Sequence, residues 1–332
     1  MIEKQLLPGI VGQDFLLHEL ANKINKIASS DRAIYLQGPT GCGKELFAHA
    51  IHQISGCSGN FVAVNCSAIP ESLFESLLFG HDRGSFTGAD KRQEGYLTQA
   101  KDGTLFLDEI AELPLLQQAK LLRVLETRNY QRIGSPQDLE FSGRIITATH
   151  ANIPDLIKQR LFREDLYYRI NTFELAIPSL EERREDIPLL VAHFSAQVGD
   201  VVFSACALEY LQLASWPGNI RQLKNIVDRI IILADDSYIT ADSIEKMQAY
   251  QTPSQSLAKL AKQFITMANG DKIKAMADAM VSEALQLNQG NKTKAAELLG
   301  VHRKVVERRY QKMPMKEYEM NIDEEPIQVV AC

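Results

Sequence analysis

Cysteine is sparse in this chain, and none of it falls in a paired motif. The 332 residues carry five, at Cys42, Cys57, Cys66, Cys206 and Cys332. No two form a Cys-x-x-Cys pair or combine with histidine at zinc-binding spacing, which argues against a zinc module. Reduced thiols in a cytoplasmic protein are the expectation. No stretch approaches the roughly 20 apolar residues that span a membrane. Residues 1–11 hold Glu3 and no long apolar run, which argues against a signal peptide. No membrane partner is expected. A basic surplus is also missing. Lys plus Arg number 36 against 42 Asp plus Glu, a net charge of -6. That excludes a protein that coats nucleic acid over its whole surface and leaves a local basic patch open. No internal repeat is visible.

What is present is ordinary globular material, 45% hydrophobic and 23% charged, and long enough for two or three domains. Short apolar runs recur at Ala33–Leu36, Phe61–Val64, Thr104–Leu107 and Arg144–Ala148. Runs without alternation suit strands buried on both faces of a parallel sheet. Helical patterns lie between them, as at Leu115–Leu125, so residues 9–178 read as an α/β layered domain. Strand signals then fade. Glu181–Val198, Ala205–Ala214 and Asn219–Ala234 read as helices of a small domain covering 179–247. Residues 248–275 read as a linker, 276–313 as a helical C-terminal domain, and 314–332 as an acidic tail expected to be disordered.

The first motif with chemistry in it is Gly38-Pro39-Thr40-Gly41-Cys42-Gly43-Lys44-Glu45. It follows one apolar run and precedes a helical stretch, the context a phosphate-binding loop requires. Glycines let backbone N–H groups turn inward around phosphate oxygens, and the next helix adds its N-terminal partial charge. Lys44 would reach the β- and γ-phosphates of ATP. A Ser or Thr that binds Mg²⁺ normally follows the lysine; Glu45 stands there instead. Thr104-Leu-Phe-Leu-Asp108-Glu109 supplies the second half of a nucleotide site. A buried strand would carry Asp108 to Mg²⁺, directly or through water, and Glu109 to the attacking water as its base.

At these residues the chain resembles the bacterial enhancer-binding proteins, the AAA+ activators of RNA polymerase carrying sigma-54. The resemblance covers about Ile10 to Met313. It implies an AAA+ P-loop parallel sheet with a helical lid and a C-terminal all-α Fis-type helix-turn-helix. Glu45 then matches a glutamate common in the family. Gly84-Ser85-Phe86-Thr87-Gly88-Ala89 matches the loop that contacts sigma-54, with Ser85 where alanine is usual. Without the family, a buried Phe86 between ordinary glycine turns would be the simpler reading. Asn65 matches the asparagine proposed to restrain the catalytic glutamate. Arg163 and Arg169 match arginines donated to a neighbouring subunit's nucleotide; surface pairing with Glu164 or Asp165 is the competing reading. Arg221, in Trp216-Pro-Gly-Asn-Ile-Arg221, would sense nucleotide from the lid. Arg132 resembles a second loop near the pore of a ring. The strand ending at Thr149 is usually followed by a sensor asparagine, and His150 stands there. Family variation explains it most simply; a pH-dependent contact is the alternative.

From Gly290 to Met313 the chain holds seven Lys or Arg against two Glu, a local surplus of five positive charges. That is the electrostatic footprint of a nucleic-acid contact. The run reads as two helices around Gly300, with Ala295, Leu298, Leu299, Val301, Val305 and Val306 turned inward. Lys292, Thr293, Lys294, His302, Arg303, Lys304, Arg308 and Arg309 are the candidate contacts to double-stranded DNA. The resemblance implies a homo-oligomeric ring, a hexamer, that hydrolyses ATP to remodel the closed promoter complex of sigma-54 RNA polymerase. Its layout resembles the phage-shock-regulator type, which implies no sensory domain before residue 10. A separate regulatory protein is therefore the expected control. A DNA-binding regulator that keeps the ATPase module only for assembly is the competing function.

Overall fold

The computed structural model describes residues 6–199, 201–234, 236–249, 272–288 and 290–310. They form two compact units, one ending at Ser243 and one beginning at Ile244.

The first unit is built on a five-stranded parallel sheet. Its strands are β1 (Ile34–Gln37), β2 (Phe61–Asn65), β3 (Thr104–Asp108), β4 (Arg144–Thr149) and β5 (Phe173–Ala176), in spatial order β2-β3-β4-β1-β5. The lack of alternation in these runs has a direct cause. Leu105 and Leu107 of β3 enter one core layer and Phe106 enters the other. Tyr35 and Ile34 of β1 divide the same way. One layer holds Phe74, Leu78, Leu121 and Val124; the other holds helix α1 (Phe15–Ile27) and helix α2 (Lys44–Ser55). The sheet register pairs Asn65 with Asp108 and Gln37 with Thr149, so the carboxyl ends of four strands finish at one edge. Strand β5 was not singled out in the sequence. It is an edge strand on which only Leu175 is buried, so it lacks the continuous apolar run that marks the inner strands.

Two hairpins project from this unit. Gly80–His81 pairs antiparallel with Gln93–Glu94 below the Gly84–Ala89 loop, and Asn129–Gln131 pairs with Asp138–Glu140. Backbone bonds from Ile133 to Gly80 O (2.9 Å) and from Asp82 to Ile133 O (3.1 Å) tie the two together.

The helical part of the unit holds helices Ile187–Val198, Ala205–Leu213 and Asn219–Leu233, and a further helix, Ala241–Ala249, runs across the division between the units. It also holds a short parallel strand pair, Val202–Phe203 with Tyr238–Ile239, that apolar pattern did not reveal. The helix expected from Glu181 starts only at Ile187. Arg183 breaks the preceding turn at φ -133°, ψ 49°, and its buried side chain is drawn to the phosphate loop. Pro188, in the first turn, suits a helix start. Trp216 is fully buried and its indole N–H donates to Leu211 O at 2.8 Å. Among the described residues Cys42, Cys57 and Cys66 are free thiols.

In the second unit, helices Lys272–Leu287, Lys292–Leu298 and Arg303–Tyr310 pack around Val281, Ala284, Leu285, Ala295, Ala296 and Val306. The helix from Lys272 begins inside the stretch read as linker. Leu298 and Val301, read as inward-facing, are 60% and 40% exposed. Ala296 is buried instead, because the supporting third helix meets the face that carries the alanines. The expected tail at 314–332 lies outside the described residues.

Candidate functional site

The phosphate loop runs from the end of β1 into α2. Gly41 (φ 78°) and Gly43 (φ 103°) occupy left-handed conformations that favour glycine. A side chain at Gly41 would also meet the Gly218 carbonyl of the lid. Lys44 is buried to 6% exposure and donates to Gly38 O at 3.0 Å.

The loop opens onto a cleft of about 450 Å³ lined by Lys44, Glu45, Asn65, Asp108, Glu109, His150 and Arg221, among others. Residues distant in sequence meet there because β2, β3 and β4 are neighbours in the sheet. Lys44 Nζ lies 3.7 Å from Glu109 Oε1. Glu109 Oε2 accepts from His150 Nδ1 at 2.8 Å and from Thr149 Oγ1 at 3.2 Å. Asp108 Oδ1 accepts from the Glu109 backbone N–H at 3.0 Å. Burial pushes the Asp108 carboxyl above its ordinary range, and the neighbouring Glu109 charge adds to this. Burial acts the same way on Glu109, but the hydrogen bond with His150 and the charge of Lys44 outweigh it and hold that carboxyl below its usual value. The two neighbouring carboxyls are thus shifted in opposite directions. The Cys66 thiol beneath them is raised by burial to about 12 and stays uncharged.

The lid closes the back of the loop. Asn219 Nδ2 donates to Thr40 O at 2.9 Å, the Arg221 backbone N–H to Gly41 O at 3.3 Å, and Arg183 Nη2 to Cys42 O at 3.0 Å. A small apolar slot lies beside Gly43, lined by Ile10, Val11, Phe47, Leu190, Phe194 and Ile220. Sequence reading missed this slot and missed Arg183 and Asn219. The available signal was the apolar Ile10-Val11 before α1 and the polar residues placed in lid turns.

Of the other sequence candidates, Asn65 lines the cleft without touching Glu109, and the rest lie outside it. Asn65 accepts from Ser67 through N (3.0 Å) and Oγ (2.7 Å). Arg163 forms a two-pronged pair with Asp165 (3.0 and 2.7 Å), as the surface-pairing reading anticipated. Arg169 donates to Leu125 O at 2.8 Å. Neither arginine lines the cleft of its own chain. In the Gly84–Ala89 loop, Gly84 N–H bonds Ala89 O (2.9 Å) and Ala89 N–H bonds Phe86 O (3.1 Å), closing a tight tip. Phe86 is 41% exposed and packs edge-on to His81 at 4.9 Å, whereas Ala89 is buried. Thr87 and Gly88 are exposed. Ser85 leans on Gly134, where any side chain would collide with it. Arg132 is buried, in the connection of the second hairpin.

In the second unit the basic residues divide. Arg303 pairs with Glu307 (2.8 Å), Arg309 with Asp278 (2.9 Å), and Lys292 sits over the Tyr310 ring. Lys294, Lys304 and Arg308 are exposed and have no ion-pair partner among the described residues. Asn291 caps the second helix, accepting from the N–H groups of Thr293 and Lys294. His302 lies at the start of the third helix, accepting from the Lys304 N–H at 3.3 Å.

Residues 10–176 match the Sigma-54 interaction domain, 181–261 the AAA+ ATPase lid domain, and 278–313 the Bacterial regulatory protein, Fis family. The chain belongs to the sigma-54-dependent transcriptional activators. The activator is 40% identical over 308 residues to the transcriptional regulatory protein ZraR of Salmonella typhimurium, covering 90% of this chain and 67% of ZraR. It is 40% identical over 289 residues to the regulatory protein AtoC of Escherichia coli, covering 85% of this chain and 62% of AtoC. The chain therefore spans about two thirds of these relatives' length. Among solved structures, NtrX from Brucella abortus in complex with ATP superposes with a TM-score of 0.68 at 31% identity, covering 91% of this chain and 68% of NtrX. RuvB of Thermotoga maritima, at 14% identity and a TM-score of 0.52, shares the fold alone. The activator thus carries an AAA+ domain of the sigma-54 class, with the ATPase activity that class implies, and a DNA-binding helix-turn-helix. Among the described residues no helix is long and apolar enough to cross a membrane.

Proposed function

We propose that this activator hydrolyses ATP in the Lys44–Glu109 cleft and uses the cycle to remodel sigma-54 RNA polymerase from the closed to the open promoter complex. The observation that carries the reading is the meeting of Lys44, Asp108 and Glu109, from three separate segments, around one cleft beside an apolar slot. The base of ATP would enter the slot and its phosphates would lie over Gly38–Glu45. Lys44 would exchange Gly38 O and the Glu109 carboxylate for phosphate oxygens, and Arg221 would approach them from the lid. The donor set suits Mg²⁺, since Asp108 is a desolvated carboxylate whose ionised form a hard cation would stabilise. Asp108 would hold Mg²⁺ directly or through water. When bound, that ion would offset charge on the phosphate oxygens. Glu109 would then orient the attacking water and take its proton.

Arg163 and Arg169 lie outside their own cleft and would complete the site of a neighbour, making the working form a ring, a hexamer. An arginine supplied in trans is worth ~10³–10⁵ in rate. The exposed tip Gly84–Gly88, with Phe86 as its aromatic anchor, would meet sigma-54. The helix-turn-helix would tether the ring to upstream DNA through Lys294, Lys304 and Arg308. We place the functional boundaries at 9–178, 179–247 and 276–313. Transcription in vitro from a sigma-54 promoter tests the reading: Thr87→Ala should abolish open-complex formation while ATP hydrolysis continues. Full open-complex formation by that variant would refute the loop assignment.

A further inference from the structure

Glu109 is held from the end of β4. Besides the bonds from His150 Nδ1 and Thr149 Oγ1, its Oε2 faces the His150 backbone N–H at 3.4 Å. Three donors on one oxygen fix the carboxylate plane and leave Oε1 toward Lys44, 3.7 Å away. Glu109 itself sits at φ 51°, a conformation a glutamate keeps only where its surroundings hold it. The β2 side of the site could in principle supply the same restraint, because β3 lies between β2 and β4. It does not: no hydrogen bond joins the Asn65 amide to Glu109, and the side-chain oxygen, which cannot donate, accepts from Ser67. Thr149 is a divided partner, its Oγ1 also accepting from the Ala151 N–H at 3.0 Å.

We propose that His150 is the positioning residue for Glu109 in this chain, the task that family resemblance assigns to Asn65. The proposal rests on Glu109 being the base of the ATPase read above. A base must stand within hydrogen-bond reach of the water it deprotonates, and a misplacement of about 1 Å costs ~10²-fold in rate. His150 acts by directing Oε1 into the cleft and needs no contact with the nucleotide. Asparagine carries its amide nitrogen at the position of the imidazole Nδ1. His150→Asn therefore keeps the donor and loses the ring, His150→Phe keeps a ring without the donor, and His150→Ala loses both.

The test is steady-state ATPase of the full chain, with binding of a fluorescent ADP analogue as the check on folding and on the nucleotide pocket. His150→Ala and His150→Phe should each lower kcat by ~10-fold or more, with KM for ATP and affinity for the analogue unchanged within ~2-fold. His150→Asn should recover most of the lost kcat. Asn65→Ala should cost less than either. A normal kcat in His150→Phe, an Asn65→Ala loss as large as that of His150→Ala, or a KM rising in step with the fall in kcat would each overturn the assignment. Glu109→Gln separates the two levels: undiminished turnover in that variant would remove Glu109 as the base, and with it the reading on which the proposal rests, whatever the His150 variants do.

Discussion

Asn219 joins the lid to the phosphate loop from both ends of its amide. Its Nδ2 donates to Thr40 O at 2.9 Å and its Oδ1 accepts from the Leu180 N–H at 2.8 Å. The residue is 2% exposed and sits at φ 51°, a conformation asparagine tolerates better than most residues. The helix that begins here carries Ile220 and Arg221 to the cleft, so one buried amide sets where the lid meets the phosphate loop.

Asn219→Ala removes both bonds and places alanine in the left-handed region. Two buried hydrogen bonds at about 1 kcal/mol each, with a strain contribution, give an expected loss of ~2–4 kcal/mol. Asn219→Gly relieves the strain and should lose less. Thermal unfolding of the two variants gives the order, and nucleotide affinity should fall in both.

Lys44 and Glu109 should fail differently. Lys44→Ala takes away the cation that would bind phosphate and should abolish detectable ATP binding. Glu109→Gln keeps the pocket's shape and should bind ATP while slowing turnover ~10²–10⁴-fold, the range for loss of a general base. Equilibrium binding and phosphate release, measured on the same preparations, separate the two.

Arg163 is held within its own chain by Asp165, whose carboxyl the hydrogen bonds from Arg163 push below its ordinary value. A depressed acid contributes stability above the ordinary carboxylate range and loses it as pH falls through the depressed value. The pair is exposed, so the contribution should be at most ~1 kcal/mol. Melting curves of wild type and Asp165→Asn should differ slightly at pH 7 and converge in acid. The same variant frees Arg163. If Arg163 serves a neighbour, Asp165→Asn should retain ATPase whereas Arg163→Ala loses it ~10³-fold or more.

In the helix-turn-helix, Arg308 and Arg309 are adjacent in sequence and different in role. Arg308→Ala should weaken DNA binding across sequences and lower the salt slope by about one. Arg309→Ala breaks the pair with Asp278, and Asp278→Ala should reproduce its loss of stability without touching DNA. Equal salt slopes in the Arg308 and Arg309 variants would contradict this division.

The class of fold and the signature of a phosphate loop can be read from the residues alone. The four inner strands, the glycine loop and the acidic pair are legible because parallel strands buried on both faces need continuous apolar runs. Phosphate likewise needs backbone N–H groups at fixed glycine spacing. The basic surplus at the C-terminus was legible for the same reason: charge is a property of composition. Tertiary structure alone decided partnerships. β5 is an edge strand without an apolar run, and the Arg183 and Asn219 clamps act across more than a hundred residues of chain on the loop's carbonyls. Which of Asn65 and His150 reaches Glu109 depends on the rotamers at two strand ends that flank β3 equally. Residue type permits either contact; only packing selects the one from His150.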